Sequence, residues 1–211
     1  MGEVVLKTNL EAHFEFVSRG KVREIWKMDE ERLLFVATDR VSAYDVILAN
    51  GVPHKGALLT LMSVHWFNVL SEMIPHLETH FITLDLPPAI PSSSQTASIL
   101  RQRSMQVRKL IVLPIESIVR GYITGSAWSE YKKSGTVHGL QMPAGLQESQ
   151  KLEKPLWTPS TKAEQGEHDE NITPAKAGQL IGEKYAKQIE ELSLDIYAKV
   201  RPQILRRRSS C

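Results

Sequence analysis

Segment 158–171, TPSTKAEQGEHDEN, combines residue types that handle charged ligands. One lysine, Lys162, stands among the acids Glu164, Glu167, Asp169 and Glu170 and the histidine His168, with Glu153 upstream of the segment. The segment has no apolar periodicity, so it is either a solvated loop, as charge runs usually are, or a ligand-binding loop. No second histidine lies at helical spacing from His168, which argues against zinc, whereas carboxylates with phosphate suit Mg²⁺.

A second polar segment, VRGYITGS at 119–126, strengthens the ligand-binding alternative. Arg120 offers a planar guanidinium that fits a phosphate. Ser126 is expected at the N-terminus of the following helix, where free backbone N–H groups favour an anion. The alternative is a plain serine N-cap beside a surface arginine.

Segment RGKVR at 19–23 places a glycine before a predicted strand and a lysine beside that glycine. Gly20 would let backbone N–H groups approach phosphate oxygens, and Lys21 would supply charge. The position between strands resembles the glycine loop of kinases more than a Walker loop, which needs GxxxxGK[ST] before a helix. A turn glycine with surface basic residues is the alternative.

Segment TDRVSAYD at 38–45 follows a predicted buried strand, a usual place for ligand contacts. The alternatives are that Asp39 and Arg40 pair with each other and that Asp45 is a turn acid. Together, two candidate anion sites and a lysine–acid loop indicate binding of a nucleotide and a phosphorylated small molecule. These residues do not identify the reaction.

The composition is that of an ordinary globular protein, with 211 residues, 42% hydrophobic and 24% charged. A net charge of +2 is too balanced to indicate nucleic-acid binding. The apolar runs are too short for a transmembrane helix, and no secretory signal is visible. The single cysteine, Cys211, cannot form an internal disulfide. We therefore expect a cytoplasmic protein with no membrane partner.

Apolar patterns and turn signals predict the elements that position these residues. Two extended runs, 21–28 and 32–38, flank Asp29-Glu30-Glu31 and predict a β-hairpin. Residues 58–73 have apolar side chains at helical spacing and predict an amphipathic helix. Residues 84–98 are rich in proline and serine and predict a loop.

The second half is expected to be mixed, with a boundary near residue 110 between it and a β-rich first part. Thr173 is a good N-cap, and Pro174 suits the first helical position. The helix that follows is expected to end before Pro202.

Five segments resemble the SAICAR synthetase (phosphoribosylaminoimidazole-succinocarboxamide synthase) family of purine biosynthesis. They are RGKVR at 19–23, TDRVSAYDVI at 38–47, VRGYITGSAWSEY at 119–131, GTVHGL at 135–140 and TPSTKAEQGEHDENIT at 158–173. The resemblance covers about residues 15–199 in the same order, and the single-domain form of fungi and plants is the most similar. The expected fold is α+β. An N-terminal antiparallel β lobe like a kinase small lobe, 1–110, would bind nucleotide, and an incomplete ATP-grasp-like lobe, 111–211, would bind substrate.

The resemblance implies an ATP-dependent ligase that uses Mg²⁺. It would join the carboxylate of CAIR, a ribose-phosphate imidazole, to the amine of L-aspartate, giving SAICAR, ADP and phosphate. An acyl phosphate would supply the leaving group, and the protein would mainly position groups and neutralise charge. The expected partners are these small molecules, and a monomer is favoured.

The resemblance also assigns roles by position. The residues expected to bind ATP are Gly20, Lys21, Val22, Arg108, Lys109 and Leu110. The residues expected to bind substrate are Ser42, Arg120 and Ser126, the last two at the CAIR phosphate. The residues expected to be catalytic are Lys21, Asp45, Lys162 and Asp169.

The sequence departs from the family pattern after the helix expected to reach Val200. Family members continue into a strand like DTKFEFG and then a DExxTPDSSR pattern, whereas this chain reads RPQILRRRSSC from Arg201. The family's main Mg²⁺-binding acids lie in that region. The resemblance therefore implies a truncated or alternatively ended form whose 211 residues alone do not turn over. The alternative function is a non-catalytic form that retains at most nucleotide binding.

Overall fold

The computed structural model describes residues 3–43, 46–162 and 169–208, with side chains described as far as Pro202. The chain forms two compact units, Met1–Ile111 and Val112–Cys211. Helices and antiparallel strand pairs occur in both units, so the predicted mixed class of helices and antiparallel sheets is confirmed. Within the described part, no helix is long and apolar enough to cross a membrane.

The described residues of unit 1 form seven strands and two helices. The strands are β1 Glu15–Arg19, β2 Arg23–Lys27, β3 Arg32–Ala37, β4 Ser42–Ala43, β5 Val46–Ile47, β6 Phe81–Thr83 and β7 Ser104–Arg108. The helices are α1 Lys55–Met73 and α2 Gln95–Leu100. Five strands form one antiparallel sheet in the order β1-β2-β3-β7-β6, and β4 pairs with β5.

The predicted hairpin is confirmed by the pairing of β2 with β3, in which Trp26 lies opposite Leu34. Alternate residues of a strand share one face, so Trp26, Leu34 and Val36 are all fully buried. They pack with side chains from the loops and from α2, namely Leu10, Ile90, Ala97 and Leu100. This core fixes β2, which begins at the last residue of the RGKVR segment.

Helix α1 begins at Lys55, earlier than the predicted 58–73, and Gly56 lets its first turn lie close to the sheet. A Cβ atom at Gly56 would lie 2.2 Å from the carbonyl oxygen of Ala37. The predicted loop 84–98 is wrong at its end, where α2 begins at Gln95. Ser94 caps that helix, since its Oγ accepts from the N–H of Ala97 at 3.0 Å.

In unit 2, the part of the chain that the structure describes forms six strands and three helices. The strands are β8 Ile115–Glu116, β9 Val119–Tyr122, β10 Thr136–Val137, β11 Leu140–Gln141, β12 Lys151–Trp157 and β13 Ser160–Thr161. The helices are α3 Gly125–Ser134, α4 Pro174–Ile181 and α5 Glu183–Arg208. The strands pair antiparallel as β9 with β12, β8 with β13, and β10 with β11.

The helices of unit 2 cover two apolar clusters. One cluster contains Ile115, Trp157, Ala177 and Ala186, and the other contains Ile123, Ala127, Val137 and Leu152. The second cluster lies between α3 and the strand pair, so it holds the start of α3 close to β9.

The predicted start of α4 is confirmed, because Thr173 Oγ1 accepts from the N–H of Lys176 at 3.0 Å. The predicted single helix ending before Pro202 is wrong in two ways. Gly182 has φ 89°, which a right-handed helix excludes, so it separates α4 from α5. Helix α5 then continues past Pro202, which removes one backbone donor without ending the helix.

Candidate functional site

Gly20, Lys21 and Val22 form the turn between β1 and β2. The N–H of Gly20 donates to the carbonyl oxygen of Arg23 at 2.9 Å and closes the turn. Gly20 does not have a left-handed φ, and a Cβ atom there would meet the Arg23 carbonyl oxygen at an ordinary 3.7 Å. The turn geometry therefore does not itself require glycine, and the missing side chain leaves room for a ligand.

Arg40 stabilises this turn through hydrogen bonds from its guanidinium. Its guanidinium donates to the carbonyl oxygens of Leu6 at 2.6 Å, Gly20 at 2.9 Å and Lys21 at 3.0 Å. Glu24, fully buried, neutralises the guanidinium at 3.3 Å. The carbonyl oxygens of the turn are thus drawn toward a buried cation, which fixes how the turn presents its other atoms.

Glu24 is itself held by several donors. Its carboxylate accepts from the N–H of Thr8 and from Nε of Arg19, at 2.9 Å and 2.8 Å. The hydroxyl of Thr8 also donates to it. A buried carboxylate needs such partners, and these donors tie the N-terminal segment to β2.

The alternative pairing of Asp39 with Arg40 is wrong. Asp39, fully buried, instead accepts from Nη1 of Arg103 and from the N–H groups of Val5 and Gly56, each at 2.9 Å. Burial raises the pKa of Asp39, but the bonds from Arg103, Val5 and Gly56 outweigh it and lower the pKa overall. Asp39 therefore accepts from a free N–H group in the first turn of α1 and joins that turn to Arg103, the residue before β7.

The residues predicted to bind adenine lie where β7 ends. The N–H of Arg108 donates to the carbonyl oxygen of His80 at 2.8 Å, and that of Lys109 to the carbonyl oxygen of Glu31 at 2.7 Å. Those two N–H groups are therefore engaged within the protein. The side chain of Leu110 is 58% exposed, so its surface is open to a ligand.

Ser42, predicted to bind substrate, lies in β4 opposite Ile47 of β5 and is partly buried. Asp45, predicted to be catalytic, lies outside the described residues. The turn, β4 and the end of β7 are the described positions of predicted site residues in unit 1.

In unit 2, the structure brings Arg120 and Ser126 together. Nη2 of Arg120, in β9, donates to Oγ of Ser126 at 3.1 Å, and Nε donates to Oγ1 of Thr158 at 3.2 Å. Within the part of the chain that the structure describes, no acidic side chain pairs with Arg120. Burial lowers the pKa of Arg120. A partly buried guanidinium held by two hydroxyl groups is well placed for an anion.

The start of α3 adds backbone donors to this place. The N-cap is Thr124, whose side chain makes no capping bond, and Gly125 and Ser126 are the first helical residues. The alternative of a plain serine N-cap is therefore wrong. No acidic residue lies in the first turn, so the N–H groups and the guanidinium of Arg120 offer positive potential without a competing carboxylate.

Lys162 follows the first of two paired segments, and Asp169 precedes the second. The N–H of Thr161 donates to the carbonyl oxygen of Glu170 at 2.9 Å, and the N–H of Glu170 donates to Oγ1 of Thr161 at 3.0 Å. Nζ of Lys162 lies 3.9 Å from Oε1 of Glu116, and both side chains are about half exposed, so this ion pair is weak. The backbone thus brings the chain before Lys162 and after Asp169 side by side.

The remaining acids and histidine of the charged segment, Glu164, Glu167 and His168, lie outside the described residues. In the described ranges, no three side chains of His, Cys, Asp or Glu lie together as metal ligands would. No position for Mg²⁺ is therefore assigned to them.

Sequence reasoning missed three residues that shape these places, namely Glu24, Arg40 as the support of the turn, and Thr158. Glu24 carried a signal, since it alternates with Trp26 on the inward face of a predicted strand, where an acid needs a partner. Thr158 gave none, because it reaches Arg120 only through the pairing of β9 with β12.

The chain is similar throughout to one family. The SAICAR synthetase family model matches residues 16–208. The phosphoribosylaminoimidazole-succinocarboxamide synthase of Pichia angusta is 51% identical over 206 residues, covering 96% of this chain and 68% of that protein. The enzyme of the same name from Saccharomyces cerevisiae is 50% identical over 202 residues, covering 92% of this chain and 65% of that protein.

Solved structures of proteins in the same family also superpose on this chain. SAICAR synthase from Saccharomyces cerevisiae, complexed with SAICAR, superposes with a TM-score of 0.82 at 46% identity, covering 92% of this chain and 64% of that one. A SAICAR synthetase in complex with ADP, 23% identical with a TM-score of 0.68, covers 91% of this chain and 69% of that one and shares the fold. The chain spans between 64% and 69% of the lengths of these four relatives.

Proposed function

The chain belongs to the SAICAR synthetase family, and we propose that it acts as the ATP-dependent ligase of purine biosynthesis that joins CAIR to L-aspartate. The products are SAICAR, ADP and phosphate. The observation that carries this proposal is the Arg120–Ser126 pair at the start of α3. It places a guanidinium and a hydroxyl group together in a chain similar to a synthase solved with SAICAR.

The alternative, a non-catalytic form that retains at most nucleotide binding, is less favoured. The named relatives that match more than nine-tenths of this chain are the enzyme itself. The prediction that the 211 residues by themselves do not turn over stays a prediction.

Unit 2 would bind the phosphate of CAIR. Arg120 would exchange its bonds to the two hydroxyl groups for bonds to phosphate oxygens, and Ser126 would donate its own hydroxyl. The N–H groups at the start of α3 would add to this. Charge-assisted bonds of this kind fix both position and orientation, which a ligase needs before the carboxylate can react.

Unit 1 would bind the ATP phosphates at the Gly20–Val22 turn. Lys21 would neutralise phosphate charge, and Gly20 would allow the backbone to approach closely. Arg40 keeps the carbonyl oxygens of the turn engaged, so that they do not face the phosphates. The backbone after Arg108, with the side chain of Leu110, would bind adenine.

The reaction would proceed in two steps. An oxygen of the CAIR carboxylate attacks the γ-phosphorus of ATP, and the bond to ADP breaks. The neutral amine of aspartate then attacks the acyl carbon, the bond to the phosphate oxygen breaks, and the nitrogen loses a proton. Lys162 would stabilise charge on the transferred phosphoryl group, and Asp169 and Asp45 would orient the polar groups of the substrates. Mg²⁺, when bound, would neutralise phosphate charge.

The finer descriptions of the chain are part of the proposal. Unit 1 would correspond to a kinase-like small lobe, and unit 2 to an ATP-grasp-like lobe. A cytoplasmic monomer that takes small molecules and no nucleic acid fits a purine-synthesis enzyme.

The test is a coupled assay of ADP release by protein expressed from the complete coding sequence that contains these residues. We expect release that requires CAIR and aspartate together. ADP release that proceeds without CAIR or without aspartate would contradict the proposal. The 211 residues assayed alone test the separate prediction that they do not turn over.

A further inference from the structure

His138 is a buried histidine with an unusual set of contacts. It lies in the turn between β10 and β11 with φ 49°, and it is 2% exposed. Its Nδ1 lies 2.9 Å from the carbonyl oxygen of Pro159 and 3.2 Å from that of Ile172. Carbonyl oxygens only accept, so Nδ1 carries the proton and shares it between the two.

The two carbonyl oxygens belong to the two segments that flank the charged segment. Pro159 precedes β13, which leads to Lys162, and Ile172 follows Asp169 by three positions. The N–H of Ile172 donates to the carbonyl oxygen of Pro159 at 3.1 Å, and Ser160 forms a bridge with Asn171. The two segments therefore form a short antiparallel ladder. The imidazole binds both segments at one end of the ladder, and Lys162 and Asp169 lie at the other end.

Helix α3 fixes the position of His138 through the side chain of Glu130. The carboxylate of Glu130 accepts from the N–H groups of His138 and Gly139, at 3.0 Å and 3.1 Å, and from Oγ1 of Thr136 at 2.9 Å. Burial raises the pKa of Glu130, but the bonds from Gly139, His138 and Thr136 outweigh it and lower the pKa overall. Glu130 and Ser126 lie on the same helix, so a chain of contacts runs from the start of α3 to the ladder.

The other ring nitrogen gives the histidine no further support. Among the described groups, Nε2 is buried without a hydrogen-bond partner. An unpaired buried acceptor is unfavourable, so a ring serving only to fill the core would be better replaced by an apolar one. The polar contribution of this side chain is the Nδ1–H bond to the two segments.

We propose that His138 is a positioning residue for the proposed ligase, which holds Lys162 and Asp169 in register with the phosphate site through its Nδ1–H bond to Pro159 and Ile172. The inference rests on the proposed function. His138 touches no reacting atom in this account.

A matched pair of variants tests the bond. Asparagine and aspartate have the same shape, both accept a positive φ, and both place an atom where Nδ1 lies, but only asparagine offers an N–H there. In protein from the complete coding sequence, His138→Asp should lower kcat about tenfold or more, because small misplacements of reacting groups are costly. The KM for ATP should stay unchanged, and His138→Asn should restore most of kcat.

Two measurements keep the proposal testable if His138→Asp folds poorly or if the protein makes no SAICAR. Imidazole nitrogen shifts of the wild type should show the Nδ1–H tautomer. Hydrogen exchange at the N–H groups of Thr161, Glu170 and Ile172 should be faster in His138→Ala than in His138→Asn.

An Nε2–H tautomer, or equal exchange in the two variants, would overturn the proposal. So would a His138→Asn enzyme as slow as His138→Asp. Absence of SAICAR formation by the wild type would instead count against the proposed function, and the tautomer and exchange results would still decide the positioning role.

Discussion

The guanidinium of Arg40 donates to the carbonyl oxygen of Gly20 at 2.9 Å. The bond joins the chain after β3 to the turn between β1 and β2, and the buried carboxylate of Glu24 neutralises its donor. A turn that is predicted to approach phosphates is thus set by a cation on its protein side. Its shape depends on the planar fork of an arginine.

Replacing Arg40 by lysine should weaken ATP binding although the charge is kept. One ammonium group does not reproduce the fork that reaches Leu6, Gly20 and Lys21 together. We expect the Kd for ATP to rise about tenfold, which corresponds to about 1.4 kcal/mol, measured by calorimetry. The control is Arg103→Lys, which disturbs the other buried arginine of unit 1 without touching the turn. An equal loss of ATP affinity in both variants would show that the effect is general destabilisation.

Gly20→Ala should leave stability almost unchanged and weaken ATP binding. The added methyl group meets no atom closer than 3.7 Å, so any loss of affinity reports an approaching ligand and not a strained turn. Thermal unfolding with and without ATP measures both quantities. Unaltered ATP affinity would support the alternative of an ordinary turn glycine.

Gly56→Ala provides the contrasting case in the same unit. Alanine favours a helix by about 1 kcal/mol, but here the methyl group would lie 2.2 Å from the carbonyl oxygen of Ala37. We expect a net loss of about 1–3 kcal/mol of unfolding free energy, typical of overpacking, in chemical denaturation. A gain in stability would mean that α1 does not lie this close to β3.

Arg120→Ala should weaken CAIR or SAICAR binding far more than ATP binding. A charge-assisted bond to phosphate contributes about 1.5–3 kcal/mol, so affinity should fall roughly tenfold to a hundredfold. Lys133→Ala, at the exposed end of α3, removes the same charge without touching the site and should have little effect. Equal losses for the nucleotide and the imidazole ligand in Arg120→Ala would contradict the assignment.

Asp39 should make unit 1 sensitive to acid. Its pKa in the folded protein is lowered, so its contribution is fully present above its unfolded pKa, about 3.9, and is lost as pH falls through the folded value. At pH 7, Asp39→Asn should cost about 3 kcal/mol, because it leaves Arg103 buried without its partner charge. The difference from wild type should shrink below about pH 4 in chemical denaturation. A constant difference across that range would exclude the carboxylate as the cause.

The sequence predicted the elements whose signals, such as apolar alternation or a capping residue, lie within the element itself or next to it. The hairpin of β2 and β3 followed from alternation around three acids, and the start of α4 followed from Thr173 and Pro174. The start of α2 was missed because its capping residue, Ser94, lies in a serine-rich run that predicts a loop. Gly182 was missed because its effect depends on its φ, which composition does not indicate.

The sequence predicted those parts of the candidate site in which the chemistry of one residue indicates its role. Arg120 and Ser126 lie six positions apart, and their meeting could be expected from a strand followed by a helix. The partners of Arg40 and Asp39 could not, since Glu24 lies 16 positions away and Arg103 lies 64 positions away. Those pairs depend on the order of strands in the sheet, and adjacent opposite charges in the sequence pointed to the wrong pairing.

In the proposed ligase reaction, one carboxylate oxygen of CAIR passes to the phosphate that is released, and oxygen-18 labelling follows that oxygen. Protein from the complete coding sequence is incubated with ATP, Mg²⁺, L-aspartate and CAIR labelled with oxygen-18 in its carboxylate, and the products are analysed by mass spectrometry. We expect SAICAR that contains the aspartate nitrogen, together with one labelled oxygen in each phosphate released. ATP hydrolysis without SAICAR, or SAICAR formed with unlabelled phosphate, would contradict it.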